Sequence, residues 1–348
     1  MKKLSVLLIL ILTTYIEIIA NVRVLSIGIS EYPESSGWNK INAHNDVELI
    51  KSLFPNASSL ENAEATNSEI KHQLKVLTNN VNQGDTVIIH FSCHGQQIIT
   101  QASTEEADGV DEALVPYDAG KRTTTSYSGQ NHLTDDVFGN AIDQLRRAVG
   151  DKGLVIAVVD ACHSDSMDKD VDVSKEIYRG TDEIFGAENM PDEKIASLRE
   201  SYHNQDITAL TISTDMGNVV YITACRSDKR NYEVSVDGKG YGSLTYYFCE
   251  SYRNKGLSDL HVLLSELYSG MANDKTLKFH GQLPAIRNTI GWEAPSKTTS
   301  NVGNGSGRTS GESSDPGRPS YQTVIWSIIA AGLILIFIAL WITKKRKK

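Results

Sequence analysis

The chain has 348 residues, 40% of them hydrophobic, and a formal net charge of −9. That length admits one large domain or two small ones, with enough apolar residues for a sizeable core. The acidic balance argues against a nucleic-acid binder and leaves basic peptides as expected partners.

Met1-Lys2-Lys3 and the apolar run 4–16, with Ala20 closing a cleavage site, read as a secretory signal peptide over residues 1–20. Glu17 and the bulky Ile18 keep an uncleaved N-terminal anchor open as the alternative. Residues 21–29 (NVRVLSIGI) open the folded body as a strand. Val47, Ile50, Leu53 and Phe54 then recur on one side of a helix that starts at Asp46 and stops at Pro55. Asp46 on its own would serve as a helix cap. Ile70, Leu74 and Leu77 mark the next helix, over 67–81.

Residues 86–91 (TVIIHF) form a short apolar run that breaks into Ser92-Cys93-His94-Gly95-Gln96-Gln97. Strand alternation turns Ser92 and His94 to one side and Cys93 to the other. An acidic loop follows over 104–119, and Asp135 and Asp136 stand just ahead of a helix over 137–149. Residues 154–159 (LVIAVV) are too short for an ordinary helix and too apolar for a half-exposed strand, so they read as a strand buried on both faces of a parallel sheet. Asp160 ends that run. Cys162 therefore sits where the chain leaves the carboxyl end of a central strand, the place where open α/β sheets put ligands.

Residues 167–206 are polar and poorly periodic, and they carry Lys169, Lys175, Arg179, Lys194 and Arg199. Residues 219–224 (VVYITA) are a further buried strand and 260–267 a further helix. Residues 296–322 are too poor in apolar residues to fold and read as a disordered tether. The uncharged run 324–342, within a transmembrane helix assigned to 323–343, is followed by a basic tail at 344–348. That order predicts a single span with the tail in the cytosol and the body outside, at a cell membrane of bacterial type.

Of the four cysteines, Cys93, Cys162, Cys225 and Cys249, the contexts read as free thiols, with a Cys225–Cys249 bridge as the open alternative. Cys162 and His94 each end a buried strand. If those strands are neighbours, they bring together the thiol and base of a nucleophilic dyad.

HFSCHGQQ followed by VVDACHSDS resembles the metacaspase branch of the caspase-like cysteine peptidases, although Cys93 and Asp165 replace two of the glycines usual there. The resemblance covers about residues 22–292 and implies a caspase-like three-layer α/β/α sandwich around a mostly parallel central sheet. The peptidase domain is then 21–295, with a large portion over about 21–168, a linker over 169–206 and a small portion over 207–295. It implies Cys162 as nucleophile, His94 as acid and base, and Gly95 as a backbone donor to the oxyanion. Asp46, Ser92 and Asp160 would line an anionic pocket for Arg or Lys at P1.

Asp118, Asp135, Asp136 and Asp168 become candidate ligands for an activating Ca²⁺; the competing reading has Asp135 and Asp136 capping a helix. The chemistry itself requires no cofactor. The linker becomes the place where the enzyme would cut itself. The expected protein is a membrane-tethered, monomeric, self-processing endopeptidase. The competing classes are a catalytically silent caspase-like scaffold for peptides or partner proteins, and a Ca²⁺-binding surface module.

Overall fold

The computed structural model describes residues 21–99, 110–162, 176–203, 210, 213–226 and 229–295. The expected signal peptide, tether, membrane span and tail lie outside these residues, as does Asp168. Among the described residues no helix is long and apolar enough to cross a membrane.

The two apolar runs that end in the candidate dyad are Thr86–Ser92 (β3) and Leu154–Asp160 (β7). They lie side by side as parallel strands, with Ser92 beside Asp160. With Val22–Gly28 (β1), Ser58–Glu61 (β2), Asn218–Thr223 (β8) and Ala285–Asn288 (β11) they form one sheet of order β11-β8-β7-β3-β1-β2. Every pairing in it is parallel except that of β11 with β8.

Alternation along the strands divides the core in two. Leu25, Ile27, Val87, Ile89, Phe91, Val155, Ala157 and Val159 pack with side chains of Asn67–Asn80 (α2) and Asp135–Val149 (α3). Val24, Ile88, Ile156 and Val158 pack on the other face against Ala43–Leu53 (α1), Ser243–Lys255 (α5), Leu260–Asn273 (α6) and Lys275–Phe279 (α7). The sheet is thus covered on both faces, which is why its central strands read as unbroken apolar runs. Phe248, fully buried on α5, shows the scale of this packing: truncation to Ala is expected to cost about 3–5 kcal/mol.

The chain leaves β1 through α1 to the edge strand β2 and returns through α2 to β3 on the other side of β1. This reversal opens a crevice beyond the carboxyl ends of β1, β3 and β7, where such sheets bind ligands. Two small antiparallel elements wall it. Gly95–Ile99 (β4), Val110–Leu114 (β5) and Leu133–Thr134 (β6) form one. Glu233–Val236 (β9) and Lys239–Gly242 (β10) form the other, a hairpin turning at Asp237 and Gly238, both with positive φ. Asp-Gly is the pair that such a hairpin turn favours.

Three local expectations change. α1 begins at Ala43 rather than Asp46, and α3 takes in Asp135 and Asp136 as its first turn. The polar stretch read as irregular contains a helix, Asp192–His203 (α4), whose weak apolar periodicity hid it. All four cysteines are free, so the alternative Cys225–Cys249 bridge is set aside: Cys249 faces the α5–α6 core, whereas Cys225 lies beside Cys162.

Candidate active site

His94 and Cys162 each follow by two residues the registered pair Ser92 and Asp160, so parallel pairing delivers imidazole and thiol to one sheet edge. The Cys93 N–H donates to the Asp160 carbonyl at 3.4 Å, tying the two exits together. Cys93 itself turns into the core under α2 and α3, where burial pushes its thiol up to about 12. Gly95 opens β4, opposite Leu114.

The His94 ring is fixed from three sides. Its Nε2 lies 2.8 Å from the Asn39 carbonyl oxygen, which can only accept, so Nε2 carries the proton. Trp38 stacks on the ring at 4.8 Å and Tyr32 tilts against it at 5.4 Å. The Tyr32 hydroxyl accepts from the His94 backbone N–H and donates to the Val115 carbonyl. Nδ1 is buried and, among the described residues, has no hydrogen-bond partner. Burial lowers the ring's pKa to about 4, against the pull of the Asn39 carbonyl. The imidazole is therefore neutral at neutral pH, with its basic nitrogen open.

The Cys162 thiol donates to the Lys229 carbonyl at 3.0 Å, and its backbone N–H donates to the Arg179 carbonyl at 2.8 Å. Arg179 was one of five basic residues in the linker. Its guanidinium, with no solvent exposure, fills the space between Asp46, Ser92 and Asp160. Nη2 lies 2.8 Å from Asp46 and 2.9 Å from Glu233, while Nη1 lies 2.6 Å from the Ser92 hydroxyl and 3.7 Å from Asp160. Backbone bonds hold the segment like an added strand: the Arg179 N–H donates to the Asn231 carbonyl, and the Glu233 N–H to that of Ile177. Gly180 passes so close that a Cβ there would stand 2.4 Å from the Cys162 carbonyl oxygen.

The shell around this cation is built from distant parts of the chain. Asp46 accepts from the Ser92 hydroxyl at 2.7 Å and the Gly242 N–H at 3.0 Å. Asp160 accepts from Asn231 at 2.7 Å, and from both the N–H and the hydroxyl of Thr245 at 2.7 Å. Because the Thr245 hydroxyl donates to Asp160, it accepts from His90 Nε2 at 2.9 Å, and His90 Nδ1 accepts from Ser26 at 2.8 Å. Burial holds His90 neutral, at about 3.

Burial and the neighbouring Asp160 raise Asp46 to about 7, while Arg179 opposes them. Burial also works against the charge of Arg179, but Asp46, Asp160 and Glu233 outweigh it and keep the guanidinium protonated. A Cβ on Gly242 would come within 2.2 Å of Asp160 and 2.5 Å of Arg179, so glycine there leaves room for the guanidinium.

The predicted pocket residues Asp46, Ser92 and Asp160 thus meet around one cation. Glu233 is a fourth member that the sequence reading missed. Trp38, Tyr32 and the Asn39 carbonyl were missed as well, because nothing in a loop sequence marks which ring will cover a histidine.

Of the candidate calcium ligands, Asp118, Asp135 and Asp136 are among the described residues and Asp168 is not. Asp118 accepts from the Asn67 N–H at the start of α2, and Asp135 and Asp136 are exposed in the first turn of α3, where negative charge suits the helix dipole. Among the described residues no three His, Cys, Asp or Glu side chains are grouped to hold a metal ion. The described residues do not fit a calcium cage.

Fold and site together define an open α/β sheet carrying a thiol, a neutral imidazole and a buried anionic pocket at one crevice. The caspase domain family model matches residues 22–291, and the chain belongs to that family. Metacaspase-6 of Arabidopsis thaliana is 28% identical over 130 residues, which cover 37% of this chain and 30% of that protein. Metacaspase-1 of Schizosaccharomyces pombe is 23% identical over 234 residues, covering 61% of this chain and 52% of that one. The chain spans about half or less of the length of these relatives. A crystal structure of a Geobacter sulfurreducens protein superposes with a TM-score of 0.52 at 18% identity, covering 79% of this chain and 95% of the other. This last likeness concerns the fold alone.

Proposed function

We propose that the protein is a cysteine endopeptidase that cuts after Arg or Lys, held at a membrane by its C-terminal segment and processed by its own active site. The observation that carries the reading is Arg179: a buried guanidinium ringed by three carboxylates, its carbonyl oxygen on the Cys162 N–H. A buried guanidinium needs paired carboxylates, and a pocket that supplies them selects for it. An Asp side chain in the same space would meet only like charge.

In this reading the Cys162 thiol turns from the Lys229 carbonyl toward His94 and gives its proton to Nδ1. The thiolate then attacks the carbonyl carbon of the P1 residue. The Cys162 N–H, with the Gly95 N–H as expected second donor, stabilises the oxyanion. His94 returns the proton to the leaving amine, and a water molecule activated by the same imidazole hydrolyses the acyl-enzyme. Asn39 fixes the tautomer throughout, the role a third group plays in such sites. The membrane tether rests on the run 324–342 and the basic tail of the sequence.

The test is hydrolysis of Arg-, Lys- and Asp-ended fluorogenic peptides by the purified protein and its Cys162→Ala variant, with and without Ca²⁺. Cleavage of the basic peptides alone, lost in the variant, supports the reading. Preference for Asp contradicts the pocket assignment. Absence of cleavage in every condition favours the scaffold.

A further inference from the structure

Peptide hydrolysis leaves one thiol at this site unused. Cys225 Sγ lies 3.4 Å from Cys162 Sγ, and each sulfur is 3.0 Å from the same Lys229 carbonyl oxygen. The two residues follow the ends of neighbouring parallel strands, β7 and β8, which pair up to Val159 and Thr223. Strands in that relation run about 4.8 Å apart, and a disulfide bridges Cα atoms about 4.4–6.8 Å apart. The spacing of the strands that lead to the two residues thus falls within the range a disulfide spans. Neither of the other cysteines shares it, since Cys93 faces the core under α2 and α3, and Cys249 faces that under α6.

We propose that Cys162 and Cys225 are a reversible disulfide pair, in which Cys225 resolves the oxidised nucleophile and switches peptide hydrolysis off. A peroxide takes two electrons from the Cys162 thiolate, giving a sulfenic acid and, with one proton, water. The Cys225 sulfur attacks the sulfenic sulfur, its proton leaves with the hydroxyl as a second water, and the S–S bond forms. A dithiol reverses the step by thiol–disulfide exchange.

Cys225 has the character of a resolving thiol. Its hydrogen bond with Cys162, together with burial, pushes its pKa up, so its proton is in place to leave with the hydroxyl as water. The exposures are 2% at Cys162 and 6% at Cys225, so a sulfenic acid formed here meets Cys225 before any bulky thiol from solution. That capture also keeps Cys162 from the irreversible sulfinic and sulfonic states.

The inference takes Cys162 as nucleophile from the reading above, but its test does not need hydrolysis. The full-length protein is treated with hydrogen peroxide, its free thiols are alkylated, and the digest is mapped by mass spectrometry. The expected result is a linked peptide joining Cys162 and Cys225, about 2 Da lighter than the two thiol peptides, abolished by dithiothreitol.

In Cys225→Ser, Cys162 should advance to sulfinic and sulfonic acid, and dithiothreitol should restore less than a tenth of that variant's own unoxidised activity. Wild type should recover most of its own. An alkylated Cys225 beside an oxidised Cys162 in wild type would overturn the proposal, as would equal recovery in the two proteins. A linked pair in a protein that hydrolyses nothing would sink the peptidase reading and leave this one standing.

Discussion

Cys162 and Arg179 are joined by a 2.8 Å hydrogen bond from the backbone N–H of the first to the carbonyl oxygen of the second. That contact holds the carbonyl of the Arg179–Gly180 peptide at the donor expected to stabilise an oxyanion, while the side chain of Arg179 fills the acidic pocket. The chain lies across its own crevice in the manner proposed above for a substrate.

The acids around Arg179 should set substrate charge. Asp46→Asn, Asp160→Asn and Glu233→Gln each remove one carboxylate from a desolvated cation, a loss of about 3–5 kcal/mol for a buried pair. Steady-state kinetics should show kcat/KM for Arg-ended peptides falling by about 10²–10⁴-fold, at about 1.36 kcal/mol per decade. Glu233, whose side chain is 5% exposed, should be the mildest.

Arg179→Ala should leave the pocket short of its cation. The buried carboxylates then lie uncompensated, and thermal denaturation at neutral pH should show a lower Tm than wild type. Benzamidine, a small cation shaped to fit between paired carboxylates, should raise the Tm of the variant by mass action and leave wild type unmoved. Equal shifts in the two proteins would contradict the occupied pocket.

Much of this site was legible. The two apolar runs, their abrupt ends, and the placement of His94 and Cys162 followed from the demands of a buried parallel sheet, and Asp46 was singled out although α1 begins three residues before it. Arg179 could not be chosen over Lys175 or Lys194 from sequence, because its selection depends on antiparallel bonding to residues 231–233 and on a glycine at 180. The wall strands β4 and β5 were hidden for another reason. GQQII and VDEAL mix polar and apolar residues without a clear period although most of these residues are buried, because Gln96, Gln97 and Asp111 are buried beside apolar neighbours such as Leu114.

Trp38 acts on His94 by burial. Trp38→Ala opens one face of the ring to water, so the pKa of His94 should rise from about 4 toward the ordinary histidine value of about 6.5. The acid limb of the kcat/KM profile should move upward in pH accordingly. kcat should fall by about 10–100-fold through lost orientation, with KM little changed. An unmoved acid limb would mean that the stack does not shield the base.

His90 gives a stability signature of known sign. Its folded pKa, about 3, lies below the ordinary 6.5, so the unfolded chain takes up a proton first as pH falls. The stability tied to neutral His90 is complete above about pH 6.5 and drains away toward pH 3. In His90→Gln that drain is absent. The stability difference between wild type and variant, from denaturant titrations, should therefore shift toward the variant by about 2–3 kcal/mol between pH 7.5 and 4.5. Taking the difference cancels the opposing titration of Asp46.

The most direct measurement is N-terminal sequencing of the fragments that the purified protein generates on its own. A new terminus at Gly180 is expected, absent from Cys162→Ala and from Arg179→Asp. A cut at another bond as the main product, or a Gly180 terminus that persists in Cys162→Ala, would contradict it.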